Sequence, residues 1–279
     1  MVVEKPALHR GTRRAPHGPG EILVLRRDLG EFGAPAPRPL PDRAALRLAR
    51  PLLRGLAPTA CVHTADAVAA LTYDDGPHPA HTPGLLDLLA DRGLHATFFV
   101  LADAAEAHPD LVRRLVAEGH ELALHGPDHG RLNRLQDAEA VRVVADARRR
   151  VEAVAGVPVT LFRPPYGAHR PRSLRGWTRS GLDVVIWSGW AEDWVDAPVA
   201  DVAARARAAL HPGAILLLHD TRADPETLAP GERLPAFDRA AVTAALVDPL
   251  LAQGWSFDTV GGLLGRYPRV RSVFRELMS

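Results

Sequence analysis

Two adjacent carboxylates, Asp74 and Asp75, stand in the run Thr72-Tyr73-Asp74-Asp75-Gly76-Pro77, where an apolar stretch gives way to Gly and Pro. Gly76 and Pro77 end a strand and turn the chain, which leaves both acids at the strand tip. Successive strand residues point to opposite faces, but that constraint relaxes at a strand end. One acid can then hold a metal while its neighbour takes a proton. Alone, an Asp-Asp-Gly is more often a turn than a reaction centre, so the residues around it carry the argument.

Leu124-His125-Gly126-Pro127-Asp128-His129 places two histidines four apart. They converge on one cation if the segment makes a turn of helix, where Pro127 is tolerated in the first turn. With Asp75 they form a two-histidine, one-carboxylate set that leaves positions for water and substrate. Such a set suits zinc, and also cobalt, nickel or iron, better than magnesium. The loop Phe162-Arg163-Pro164-Pro165-Tyr166-Gly167 is stiffened by two prolines and can aim the Tyr166 N–H at a developing oxyanion, while Arg163 can orient Asp74. Ala214 to Leu218 is a continuous apolar run that reads as a strand buried on both faces; at its exit, His219 can protonate a leaving group. Between these segments Trp187, Trp190 and Trp194 crowd around Glu192 and Asp193. An indole wall can line a sugar or acyl pocket, and Asp193 can tune His219 through a hydrogen bond. Most of the 13 histidines, such as His81, His95, His108 and His120, read as ordinary surface residues.

These residues recur where strands end. Strands are expected at Ala67–Tyr73, Ala96–Leu101, Glu121–Leu124, Val159–Phe162, Asp183–Trp187, Ala214–Leu218 and Ser256–Asp258, from short β-branched or aliphatic runs. Amphipathic helices are expected between them at Thr82–Arg92, Ala102–Glu118, Asp137–Ala155, Pro171–Ser180, Pro198–Leu210 and Asp238–Gln253. Gly93, Gly119, Gly156, Gly181 and Gly254 follow these stretches as left-handed caps, and Pro109 and Pro198 sit near helix starts. Alternating strand–helix units argue for parallel strands with right-handed crossovers, so a closed or nearly closed β/α barrel is the simplest architecture. Its C-terminal strand ends would carry the site. Residues 1–66 lack this rhythm: Pro16, Pro19, Pro35, Pro37, Pro39, Pro41 and Pro51 break any long element, leaving room for a short strand at Glu21–Arg27 and a short helix at Asp42–Arg50. Arg43, Arg47 and Arg50 share one face of that helix, which reads as a solvated face beside the barrel. The division expected is an irregular N-terminal extension over 1–66 and a catalytic domain over 67–279.

The 279 residues, 47% apolar and 24% charged, describe an ordinary globular protein. With 34 basic and 33 acidic residues there is no electrostatic case for a nucleic-acid partner. Cys61 is the single cysteine, which excludes an intramolecular disulfide and a cysteine zinc site. Met1 to Gly20 has no apolar run of the signal-peptide kind, and no segment approaches a membrane span, so a cytoplasmic location is expected.

Taken in order, the segments resemble the polysaccharide deacetylases of the NodB-homology type, carbohydrate esterase family 4. Thr72 to Pro77 is similar to the family's Thr-Phe-Asp-Asp-Gly-Pro, His125 to His129 to its His-Ser/Thr-x-x-His, and Arg163 to Gly167 to its third motif. Asp193-Trp194 resembles the fourth, and Ile215, Leu217 and His219 the fifth. The resemblance spans about residues 66 to 265 and implies the family's distorted (β/α) barrel. It also implies Asp74 as general base, Asp75, His125 and His129 as ligands of a divalent metal, and Arg163 as the brace of Asp74. By the same resemblance the Tyr166 amide is an oxyanion donor, His219 the general acid tuned by Asp193, and Leu217 and Trp194 line the acyl pocket. The activity implied is hydrolysis of an N-acetyl group from an amino sugar, oligosaccharide or sugar-bearing metabolite. Gly126 departs from the pattern, since a hydroxyl that would steady the histidine loop is absent. A deformylase or O-acetyl esterase would keep the scaffold and change the bond. A catalytically silent glycan-binding module would have lost a base, acid or ligand residue, and none is lost.

Overall fold

The computed structural model describes residues 20–26, 57–222, 231 and 233–274. Its strands are β1 (Glu21–Arg26), β2 (Thr59–Val62), β3 (Val68–Asp74), β4 (Thr97–Leu101), β5 (Glu121–Gly126), β6 (Leu161–Phe162), β7 (Asp183–Val184), β8 (Gly189–Trp190), β9 (Ile215–His219), β10 (Ser256–Phe257) and β11 (Arg269–Phe274). Its α-helices are α1 (Thr82–Asp91), α2 (Ala102–Ala107), α3 (Pro109–Ala117), α4 (Asp137–Ala155), α5 (Pro171–Arg179), α6 (Val199–Ala208), α7 (Arg239–Ala252) and α8 (Val260–Arg266).

Seven parallel strands run in the order β7-β6-β5-β4-β3-β9-β8 and curl into a half-barrel clothed by helices; β10 adds to the start of β3. The expected α/β architecture is what the chain forms. Each central strand sends alternate residues to two different apolar bodies, as a two-residue period requires. Leu71, Tyr73, Phe98, Val100, Leu122, Leu124, Leu216 and Leu218 face the helices. Val68, Ala70, Phe99, Ala123, Leu161 and Ile215 face inward, where Val260, Leu263 and Leu264 of α8 fill the concave side. Asp74, His125 and His219 sit in phase with the inward set at the strand ends, and so does Arg163 just past β6. The register that builds the core therefore also sorts the reactive side chains to one side of the sheet.

Several boundaries move for local reasons. The stretch Ala102–Glu118 is two helices, because Pro109 has no N–H for the preceding turn and His108 takes φ −131°, ψ 57°. The strand expected at Asp183–Trp187 ends at Val184; Ile186 N–H turns away to the Thr59 carbonyl at 2.8 Å. Val159–Phe162 shortens to Leu161–Phe162, and the pair Gly189–Trp190, not expected as a strand, pairs with β9. The five glycines placed behind helices all take positive φ. His120 is buried, not superficial: its Nδ1 accepts the Ala96 N–H at 3.2 Å, and burial pulls its pKa down to about 4.

A second sheet, ordered β1-β11-β2, joins both ends of the described chain. Thr59 of β2 bridges Val185 beyond the edge strand β7, and Cys61 bridges Ala214 before β9, next to the other edge, so β2 spans from one end of the half-barrel towards the other. The strand expected at Glu21–Arg27 is β1, while the helix at Asp42–Arg50 and its arginine face lie outside the described residues. Among the described residues no helix is long and apolar enough to cross a membrane.

Candidate active site

Asp74 ends β3 with 2% of its surface exposed, and Arg163, fully buried, donates to its Oδ1 at 2.6 Å. The guanidinium is itself fixed: the same Nη1 donates to Thr72 Oγ1 at 2.9 Å, Nη2 to the Ile186 carbonyl at 3.3 Å, and the group lies 3.9 Å from the centre of the Phe99 ring. Burial works to lower the Arg163 pKa and the Asp74 charge opposes it. Asp74 therefore faces a permanent cation in a dry wall.

Asp75 reaches the same space by a backbone device. By strand parity it would point away from Asp74, but its φ is 78°, in the left-handed region that a non-glycine residue enters only at a cost. The following Gly76 lies against the Asp220 carboxylate so closely that any Cβ there would overlap it. Leu101 N–H holds the Gly76 carbonyl at 3.0 Å, and a cis Gly76–Pro77 bond completes the turn.

Asp75 Oδ1 stands 3.3 Å from His125 Nε2 and 3.3 Å from His129 Nε2. No helical turn joins the histidines. His125 belongs to β5, and Gly126, at φ 129°, swings the chain so that His129 returns to it. An alanine Cβ there would meet the Asp128 carbonyl at 3.1 Å, so glycine suits a backbone that a serine or threonine would strain. The three donors fit a divalent cation. His125 Nδ1 lies 2.8 Å from the Arg163 carbonyl, which can only accept, so Nδ1 carries the hydrogen and Nε2 of the neutral ring presents a lone pair. A lone pair facing a carboxylate oxygen is repulsive unless a proton or cation lies between them. The one acid and two imidazoles, with ligand atoms all within 4.8 Å of one another, are a group among the described residues that could hold a metal ion. Two ligand atoms about 2.1 Å from an ion at a near-tetrahedral angle stand roughly 3.4 Å apart. Burial alone would raise the Asp75 pKa, yet a proton between it and His125 Nε2 and the charges of His219 and His129 hold it well below the usual carboxylate range, as a cation in that place would.

Beside Asp74, its register partner on the paired strand β9 is His219. Asp193 grips it twice, Oδ1 facing Nδ1 at 2.8 Å and Oδ2 accepting the His219 backbone N–H at 2.7 Å. Arg239 donates to the Asp193 carbonyl at 2.6 Å and to its Oδ2 at 2.9 Å. Although burial opposes it, the Asp193 charge and hydrogen bond, helped by Asp75 and Asp74, raise His219 to about 9. His219 is thus an imidazolium at neutral pH, with Nε2 left to face the site. The Trp194 ring meets it edge-on at 5.7 Å, and Leu217, one inward position earlier, packs in a cluster with Ile186 and Trp187, against which Trp190 and Trp194 lean.

Tyr166 sits in the turn Pro165–Gly167 with φ 60°, ψ 8°, so the prolines stiffen a bend and not an extended loop. Its ring lies 4.4 Å from that of His129. Asp74, Asp75, His125, His129, Arg163 and Tyr166 thus form one chain of contacts, and His219, on the strand paired with that of Asp74, brings Asp193 and Trp194 beside it. Sequence reasoning overlooked Arg239 and Asp220. Arg239 opens α7, where a cation opposes the helix dipole, and that misfit was the available signal. Asp220 is buried, accepts Thr82 Oγ1–H at 2.6 Å and donates its N–H to the Asp74 carbonyl at 3.3 Å, tying the two reactive strands together. Burial pushes its carboxyl up to about 7.

A family model described as polysaccharide deacetylase matches residues 62–185. A chitooligosaccharide deacetylase of Bradyrhizobium is 40% identical over 153 residues, 54% of this chain and 69% of the relative. The peptidoglycan-N-acetylmuramic acid deacetylase PdaC of Bacillus subtilis is 37% identical over 153 residues, 55% of this chain and 32% of that longer protein. The solved structure of the same PdaC superposes with a TM-score of 0.60 at 32% identity, covering 72% of this chain and 92% of that one. Asp74, Asp75, both histidines, Arg163 and Tyr166 lie within the matched span; Asp193, in the loop after β8, and His219, at the end of β9, lie beyond it. The chain belongs to the polysaccharide deacetylase family of hydrolases.

Proposed function

We propose that this protein removes the acetyl group from an N-acetylated amino sugar, presented as an oligosaccharide or sugar-bearing metabolite. The observation that carries the reading is the pair of charge pairs beside the Asp75–His125–His129 set: a carboxylate braced by a guanidinium and, on the neighbouring strand, an imidazolium braced by a carboxylate. Amide hydrolysis asks for this pairing, since water must lose a proton and the leaving amine must gain one.

Asp75, His125 and His129 would hold a divalent cation, zinc being favoured by two imidazoles and one carboxylate. When bound, such an ion supplies Lewis acidity, lowering the pKa of water and polarising a carbonyl. Asp74, kept from turning by Arg163, accepts the proton of the attacking water. The Tyr166 backbone amide, at the inner edge of its bend, donates to the oxyanion formed as oxygen adds to the acyl carbon. His219 Nε2 then gives its proton to the sugar nitrogen as the carbon–nitrogen bond breaks, releasing acetate and a free amine. Asp193 keeps the tautomer and charge required, and Arg239 keeps Asp193 ionised. Leu217 and Trp194, in one apolar cluster beside His219, offer an apolar wall to the methyl group.

The test is acetate release from N-acetylglucosamine oligomers and from peptidoglycan fragments by the full chain loaded in turn with zinc, cobalt, nickel and iron. Acetate and free amine in equal amounts are expected. Formate, or no product from any substrate, would overturn the reading.

A further inference from the structure

Two residues past the metal-binding histidine, Arg131 lies exposed on the rim of the site with its guanidinium carbon 4.0 Å from the centre of the Tyr166 ring. That ring in turn lies 4.4 Å from His129. The guanidinium is thus held by stacking at the border of the site, one aromatic layer from the metal-binding set. Among the described residues the Arg131 guanidinium makes no ion pair and no hydrogen bond, unlike Arg163 on Asp74 and Arg239 on Asp193. The nearby carboxylate on its own loop, Asp128, is occupied with the Gly130 N–H at 2.8 Å.

A planar cation fixed by a ring face, with its in-plane N–H groups uncommitted, is the arrangement that recognises a carboxylate in two-point fashion. A purely structural arginine of this kind would be expected to spend those donors on carbonyls or acids. The relatives divide on this point: one is named for chitooligosaccharides, which are neutral, and another for N-acetylmuramic acid, which carries a carboxylate on its lactyl ether.

We infer that Arg131 is a specificity-determining residue that reads an anionic substituent on the amino sugar, so that the preferred substrate bears a carboxylate close to the N-acetyl group. This rests on the deacetylase reading above and narrows its substrate class. The nearness of Tyr166 explains the position: the residue whose amide serves the oxyanion also carries the platform for the anion reader.

The experiment compares three ligands on the full, zinc-loaded chain: a disaccharide of N-acetylglucosamine and N-acetylmuramic acid, the same disaccharide with its lactyl carboxylate converted to the amide, and di-N-acetylchitobiose. Equilibrium binding by calorimetry and acetate release are both measured for the wild type, Arg131→Met and Arg131→Lys. The wild type is expected to prefer the carboxylate over its amide on the order of 10-fold, as a charge-assisted pair allows. That preference should shrink as salt is raised, fall to about 1 in Arg131→Met, and be kept in part by Arg131→Lys; such a loss with unchanged binding of di-N-acetylchitobiose supports the assignment. Equal binding of acid and amide by the wild type would overturn it. So would a uniform loss on all three ligands in Arg131→Met, which would mark Arg131 as a brace for Tyr166 alone. If no ligand releases acetate, the deacetylase reading fails, and the binding ratio still decides the role of Arg131.

Discussion

The two walls of the site use the same kinds of charge in opposite roles. In the proposed reaction Arg163 is the fixed ion beside the base Asp74, and Asp193 the fixed ion beside the acid His219. The first pair is sealed, with Arg163 fully buried and stacked on Phe99. The second keeps an opening, since His219 retains 12% side-chain exposure while Asp193 has 2%. The difference teaches how the site separates base from acid. Each reactive group is paired with a partner that stays ionised, so one is held as a proton acceptor and the other as a proton donor at the same pH.

The comparison breaks most visibly if the donor is deleted. His219→Ala should lower kcat by roughly 10²–10⁴-fold, the usual contribution of a positioned acid, with little change in bound metal, as read by turnover beside elemental analysis. A change of only a few-fold would remove His219 from the reaction.

The sealed wall should respond in stability. Arg163→Met strands Asp74 in a dry site, and removing one member of a buried pair costs about 3–5 kcal/mol, readable in a urea titration. A variant as stable as the parent would show that the pair contributes nothing net.

The open wall should respond in pH dependence. Because the folded-state value of His219 is raised from 6.5 to about 9, its proton is bound through neutral pH and lost above that value. Activity should therefore fall on the alkaline side, and the stability that this group contributes is present below about 6.5 and lost as pH rises through about 9. A bound divalent ion repels the imidazolium and moves the limb down. Asp193→Asn should shift the alkaline limb of kcat acidward by roughly 2 units, as burial then outweighs attraction. An unmoved limb would assign it to another group.

How much of this was readable beforehand follows from the physics of each signal. The strand ends announce themselves because Gly76, Pro77 and the Pro164-Pro165 pair stop regular structure at the point where reactive residues appear. The long helix Asp137–Ala155 was legible to the residue, since its apolar period and the glycine behind it agree. Two-residue strands such as β7 and β8 were not, because so short a pairing depends on distant partners and leaves no periodicity. The Asp75 geometry was hidden as well: a left-handed aspartate is fixed by tertiary contacts around Gly76, and nothing local predicts it. The convergence of His125 and His129 was anticipated, but through a helical turn, whereas the chain achieves it through the φ of Gly126. Arg239 was missed because its role arises 46 residues away from Asp193.

The central claim is the division of labour between two adjacent carboxylates, and one paired measurement tests it most directly. Asp74→Asn and Asp75→Asn are purified side by side, with bound zinc and acetate release determined on both. The account predicts that Asp74→Asn keeps the zinc content of the wild type and loses turnover by roughly 10²–10⁴-fold, while Asp75→Asn loses zinc and turnover together. Normal turnover in Asp74→Asn, or loss of zinc from it equal to that from Asp75→Asn, would contradict the account.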